Sequence, residues 1–166
     1  MLKIDMHSHI LPKTMPNWTQ KFGYGKFIHL EPNADGSANM MQGGQFFRRI
    51  VENCWDEQLR IEEYKPFHTQ VQVVCTIPVM FSYWAQTADA LELSRFLNDH
   101  IAELVQRYPK NYIGLATIPM QDAEAAILEL ERAKSIGHVG IQIGSNINDE
   151  NLSEDKISMQ KTLIED

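Results

Sequence analysis

Two histidines separated by one residue, His7 and His9, are the first groups in this sequence able to do chemistry. On an extended strand, side chains at i and i+2 leave the same face, with α-carbons about 6.6 Å apart at a rise of about 3.3 Å per residue. Two imidazoles tilting inward from those positions can share one metal ion at nitrogen to zinc distances of about 2.0–2.1 Å. Asp5 follows the same alternation and is expected to orient one ring from behind. Arg48 and Arg49 lie in the run Phe46-Phe47-Arg48-Arg49-Ile50. A guanidinium there can clamp a carboxylate through two parallel hydrogen bonds, or form an ordinary surface ion pair. His29, His68, His100 and His138 share no spacing and are expected at surface or capping positions. Cys54 and Cys75 form no C-x-x-C pair, so neither a disulfide framework nor a thiolate zinc cluster is available. The aromatic run Met80-Phe81-Ser82-Tyr83-Trp84 can line a pocket mouth or join the core.

The elements that must position these groups can be read from periodicity. Residues 2–11 predict a first strand with Leu2, Ile4, Met6 and Ile10 on one face, packed on helices, and Asp5, His7 and His9 on the other. Residues 12–45 read as an irregular insertion carrying a hairpin about Asn33-Ala34-Asp35-Gly36. Asp56 caps a helix that runs to Lys65, where Pro66 stops it. Strands are expected at 71–77, 112–118 and 138–143, and helices at 89–108 and 122–136, the latter closed by Gly137. A polar tail from residue 148 holds one helical stretch. Alternating β and α elements predict an α/β fold with a parallel sheet, either doubly wound or a (β/α)₈ barrel. A closed barrel needs about 250 residues, and this sequence supplies roughly four of the eight units, so the sheet is expected to be open or the barrel partial.

With 166 residues, the chain is expected to be a single domain, 1–166, with one core. Fifteen Lys and Arg against 22 Asp and Glu leave a net charge of −7, which argues against a phosphate-binding surface and so against nucleic acid as a partner. The apolar share of 43% is too high for an intrinsically disordered chain. No apolar run reaches the roughly 18–20 residues of a membrane span, and the first residues show no secretory h-region, so a cytosolic protein is expected.

The run Lys3-Ile4-Asp5-Met6-His7-Ser8-His9-Ile10-Leu11-Pro12 resembles the opening of the amidohydrolase-like metal-dependent decarboxylases. Phe22-Gly23-Tyr24-Gly25, Glu52-Asn53-Cys54-Trp55-Asp56, the stretch from Pro78 to Trp84 and Gly140-Ile141-Gln142-Ile143-Gly144 are similar to the 2-amino-3-carboxymuconate-6-semialdehyde decarboxylases of animals, and the likeness extends to about Ile157. The resemblance implies a (β/α)₈ barrel with a small antiparallel insertion after its first strand and a zinc ion at the C-terminal mouth. It implies oxygen-independent decarboxylation of a small dicarboxylate in tryptophan (kynurenine) catabolism, a branch that limits quinolinate formation, by a homodimer. By position, His7 and His9 match two metal ligands, and Arg48 matches the arginine that holds a substrate carboxylate. The family's third metal histidine, its base histidine and its ligand aspartate come from strands five, six and eight. They lie beyond Asp166, so the catalytic base is unassigned. The sequence is therefore expected to be the N-terminal part of the barrel. Two alternatives are a related metal-dependent hydrolase and a catalytically inactive fragment that pairs with another chain.

Overall fold

The computed structural model describes residues 2–153. In chain order its elements are β1 (Lys3–His9), α1 (Trp18–Phe22), β2 (Ile28–Pro32), β3 (Ala38–Gln42), β4 (Gln45–Ile50), α2 (Glu57–Tyr64), β5 (Thr69–Cys75), α3 (Thr87–Arg107), β6 (Tyr112–Ala116), α4 (Ala123–Ser135), β7 (Gly140–Ile141), β8 (Asn146–Ile147) and β9 (Glu150–Asn151). Four of the strands form a parallel wall in the order β1-β5-β6-β7, and β2-β3-β4 form a separate antiparallel sheet. Each new wall strand joins beside its predecessor, without the reversal of order that marks a doubly wound sheet. Crossovers of one hand that always step the same way put their helices on one face. The wall is thus part of a (β/α)₈ barrel with an antiparallel insertion after β1.

Local chemistry explains the boundaries. Asp56 Oδ1 accepts from Leu59 N at 2.7 Å and Asp122 Oδ1 from Ala125 N at 2.9 Å, each satisfying an otherwise orphaned donor in the first turn of α2 or α4. A 3₁₀ turn over Lys65–Phe67, with Pro66 inside it, ends α2. Along α3 the buried residues Ala90, Leu93, Leu97, Ile101 and Leu104 recur at helical spacing. Ile101 and Leu104 pack beneath the wall on Ile10, Val74 and Tyr112. Leu93 and Leu97 pack with Trp18, Phe27, Met40 and Trp55 of the insertion and its exit, and with Leu11 and Met80. Leu11 follows β1 and Met80 follows β5, so this second cluster moors the insertion at the C-terminal end of the wall.

The insertion's sheet continues beyond the expected limit at residue 45, because β4 runs to Ile50. Gly43 and Gly44, with φ of 57° and 80°, form the two-residue turn that returns β4 along β3. The fourth wall strand is shorter than expected at Gly140–Ile141. Flanking hydrogen bonds from Val139 N to Gly114 O and from Gln142 N to Ala116 O nevertheless continue the ladder. The helical stretch expected in the tail lies outside the described residues. Among the described residues, no helix is long and apolar enough to cross a membrane.

Two expectations are overturned. Along β1 the simple alternation fails: Asp5 pairs with Gln72 and Ser8 with Val74, so two residues of β1 span the place of one on β5. This bulge shifts the phase of the strand. Asp5, Ser8 and Ile10 face the helices, and His7 and His9 face the other way. Leu2, Ile4 and Met6 do not pack on helices but remain 63%, 42% and 69% exposed. His138 is not a surface residue either. It is buried between β7 and α3, where its Nε2 lies 3.0 Å from the Asn98 carbonyl oxygen.

Candidate active site

His7 and His9 sit at the C-terminal end of β1, with their Nε2 atoms 3.2 Å apart. His9 Nδ1 lies 2.9 Å from the carbonyl oxygen of Thr76, just past β5. A carbonyl only accepts, so Nδ1 carries the proton and Nε2 the lone pair. Two nitrogens bound to one tetrahedral ion at about 2.0–2.1 Å lie roughly 3.3 Å from each other, so the pair fits a shared divalent ion as it stands. Burial, above all, lowers the pKa of His9, and the charges of His7 and Arg60 push the same way. The ring is therefore neutral at pH 7, the form a metal binds. Cys75 Sγ approaches His9 Nδ1 at 3.5 Å, but burial pushes its pKa up to about 11, which keeps it a thiol rather than a thiolate ligand. Among the described residues, no group of three or more His, Cys, Asp or Glu side chains converges on a common point.

The bulge removes Asp5 from its expected place behind the histidines. Its Oδ2 accepts from Tyr64 OH on α2 at 3.0 Å and its Oδ1 from the backbone N–H of His7 at 3.3 Å. The expected orienting role falls to the Thr76 carbonyl. No side-chain pattern could signal that, since any residue type has one.

Arg48 projects from β4 over the same end of the wall. It and His9 line a cavity of about 410 Å³ whose other walls include Met40, Phe47, Ile77 and Val79. A second bulge, between Met40↔Arg48 and Met41↔Phe46, lets neighbouring Phe47 and Arg48 both line it. The guanidinium of Arg48 lies over the Phe47 ring at 5.8 Å and makes no ion pair among the described residues. Arg49, by contrast, is tied to Asp35 and to Ser37 Oγ. Past β5, Phe81, Ser82, Tyr83 and Trp84 line a wider cavity of about 640 Å³ together with Asn146, Asn148 and Asp149. Pro78 and Val79 border both cavities, and Met80 is core. The aromatic run thus serves both of its expected purposes. Sequence reasoning missed β4 as the carrier of Arg48, although the Gly43-Gly44 pair signals its turn. It also missed Arg60 of α2, whose buried guanidinium reaches Ser8 and the His9 carbonyl.

A wall of parallel strands, with its ionisable and apolar lining gathered at their C-terminal ends, defines a barrel of the kind whose enzymes work at that mouth. The chain belongs to the amidohydrolase family, whose sequence profile matches residues 4–163. It is 50% identical over 154 residues to 2-amino-3-carboxymuconate-6-semialdehyde decarboxylase of Dictyostelium discoideum, covering 92% of this chain and 43% of that one. The enzyme of the same name from Caenorhabditis elegans is 35% identical over 170 residues, covering 90% of this chain and 42% of the relative. Among solved structures, a 5-carboxyvanillate decarboxylase of Novosphingobium aromaticivorans, complexed with manganese and a nitrobenzoic acid, superposes with a TM-score of 0.69 at 18% identity. That match covers 98% of this chain and 47% of the other. The chain therefore spans less than half the length of these relatives.

Proposed function

We propose that this chain provides the first two metal ligands and the carboxylate clamp of a zinc-dependent, non-oxidative decarboxylase acting on 2-amino-3-carboxymuconate 6-semialdehyde in cytosolic tryptophan catabolism. The observation that carries the reading is the convergence at one mouth of His7, His9 and Arg48. The two Nε2 atoms are 3.2 Å apart, and His9 and Arg48 line one cavity. The names of the two relatives support the substrate. Manganese in the related carboxyvanillate enzyme supports a divalent ion, and the all-nitrogen donor pair favours zinc. When bound, the ion supplies Lewis acidity and a nucleophile at neutral pH. His9, neutral and fixed by Thr76, presents a lone pair to it without reorientation. Arg48 holds one substrate carboxylate by two parallel hydrogen bonds. Met40, Phe47, Ile77 and Val79 exclude water around the conjugated body of the substrate. In the reaction a carbon–carbon bond breaks, its electron pair stays on the substrate carbon and a proton replaces the carboxyl group as carbon dioxide leaves.

The test loads a purified full-length protein that contains these residues with zinc and follows loss of semialdehyde absorbance together with release of carbon dioxide. Both signals are expected, and both should vanish in His7→Ala. Stoichiometric zinc without carbon dioxide release overturns the reading. One observation favours a second reading, in which the 166 residues alone are a catalytically inactive partner of another polypeptide. Among the described residues only two ligand side chains converge, two fewer than a closed tetrahedral zinc site uses. Full turnover by the 166-residue chain excludes it.

A further inference from the structure

We propose that Arg60 and Tyr64 are positioning residues for the histidine pair: from one face of α2 they clamp both sides of the β1 bulge and so set the separation of the two Nε2 atoms. The inference rests on the metal-binding reading above and goes beyond it by naming what holds the ligands in place. Arg60 and Tyr64 are four residues apart, hence neighbours on one helical face. Before the bulge, Tyr64 OH donates to Asp5 Oδ2 at 3.0 Å, and Asp5 Oδ1 in turn accepts from His7 N at 3.3 Å. After the bulge, Arg60 Nη2 donates to Ser8 Oγ, and Nη1 donates to the His9 carbonyl at 2.8 Å. The same guanidinium reaches the Asn53 carbonyl at 3.1 Å and Gln72 Oε1, from Nη2, at 2.8 Å. One side chain thus ties the ligand strand to its neighbour β5 and to the loop before α2.

The energetics point to geometry rather than stability as the product of this arrangement. Arg60 is only 8% exposed and has no carboxylate partner among the described residues. Burying a charge without an opposite charge is a poor route to stability, and well-packed apolar side chains do as well or better. What an apolar residue or a lysine cannot supply is a rigid planar fork of five donors, here spread over four acceptors. A bulge needs such fixing. Loss of its extra residue from the ladder would re-aim His7, whereas a metal pair tolerates only about 0.2 Å of error in ligand distance.

The test titrates zinc into the 166-residue chain while nitrogen-15 NMR follows the ring nitrogens of His7 and His9. The wild type, Arg60→Lys, Tyr64→Phe and a control, Asp122→Ala, are compared. In the wild type both Nε2 signals shift together and saturate at one zinc per chain. Arg60→Lys and Tyr64→Phe are each expected to weaken zinc binding by about ten-fold or more and to separate the two ring responses. Asp122→Ala, which loosens α4 without touching β1, leaves zinc binding unchanged. Tyr64→Phe removes one hydroxyl and keeps the ring, so it remains informative if the arginine variant fails to fold. Unchanged affinity and ring signals in both variants overturn the clamp while leaving the metal site standing. A wild-type chain whose two rings do not respond to zinc overturns the metal reading, and the clamp with it.

Discussion

His9 illustrates how much of a histidine's behaviour is settled by atoms that carry no side-chain identity. Its tautomer follows from a 2.9 Å contact with a backbone oxygen, and its neutrality follows mainly from burial. The pair itself was legible in the sequence, because i and i+2 on a strand share a face, and His7 and His9 keep that relation although the irregularity between Asp5 and Ser8 includes His7. Asp5 was misread because the irregularity falls between Asp5 and Ser8, and a bulge leaves no mark on a residue string. Arg48 was legible as a candidate, but its separation from Arg49 was not. Only the fold shows that Arg49 is tied to Asp35 while Arg48 lines the cavity. Replacing Arg48 with lysine keeps the charge and removes the fork. A lost charge-assisted hydrogen bond of about 1.5–3 kcal/mol corresponds to a rise of roughly ten-fold or more in KM for the dicarboxylate, with kcat much less affected. A steady-state comparison with wild type checks this, and equal KM values would show that Arg48 does not clamp the substrate.

At the scale of elements, the long amphipathic helix was the most legible. The apolar residues expected between 89 and 108 are those buried along α3, and the capping aspartates sit where their side chains accept from the first turns. The seam between α3 and α4 was not legible, because it is polar. Glu129 is fully buried and accepts from Asn98 Nδ2 at 2.7 Å and Arg132 Nη2 at 2.8 Å, while Asn98 Nδ2 also reaches the Thr117 carbonyl past β6 at 2.9 Å. A glutamate in the middle of a helix reads as surface, and only its partners Asn98, Arg132 and Arg95, whose Nε lies 3.3 Å from Oε2, make its burial tolerable. Glu129→Ala leaves Asn98 and Arg132 without their shared acceptor, at a cost of about 3 kcal/mol, the low end for a broken buried pair because Arg132 is partly solvated and keeps Asp99. Urea unfolding followed by circular dichroism measures the loss. A change below about 0.5 kcal/mol, the usual range for a surface substitution, would mean that the seam is not held through this carboxylate.

Across the whole molecule, three histidines, His9, His100 and His138, have pKa values lowered from 6.5, each chiefly by burial. The unfolded chain takes up protons at these sites that the folded chain refuses. Stability is therefore complete above about pH 6.5 and falls as the pH drops below it. The urea midpoint is expected to be lower at about pH 5.5 than at about pH 7.5, and His138→Gln should flatten part of that difference. A midpoint independent of pH over this range would contradict the burial of these rings. The architecture also orders the wall by distance along the chain. Val74 of β5 meets Gly114 of β6, and Leu115 meets Gly140 of β7, but His9 of β1 meets Cys75 only across the whole insertion. Closing the longest loop loses the most chain entropy, so the pairing of β1 carries the largest such cost in the wall, and β1 meets it with the longest register of pairs along β5. The strand that bears both imidazoles is thus joined to the wall across the longest stretch of chain, and an ion held between them and further ligands at the mouth would be a fastening that does not depend on that stretch.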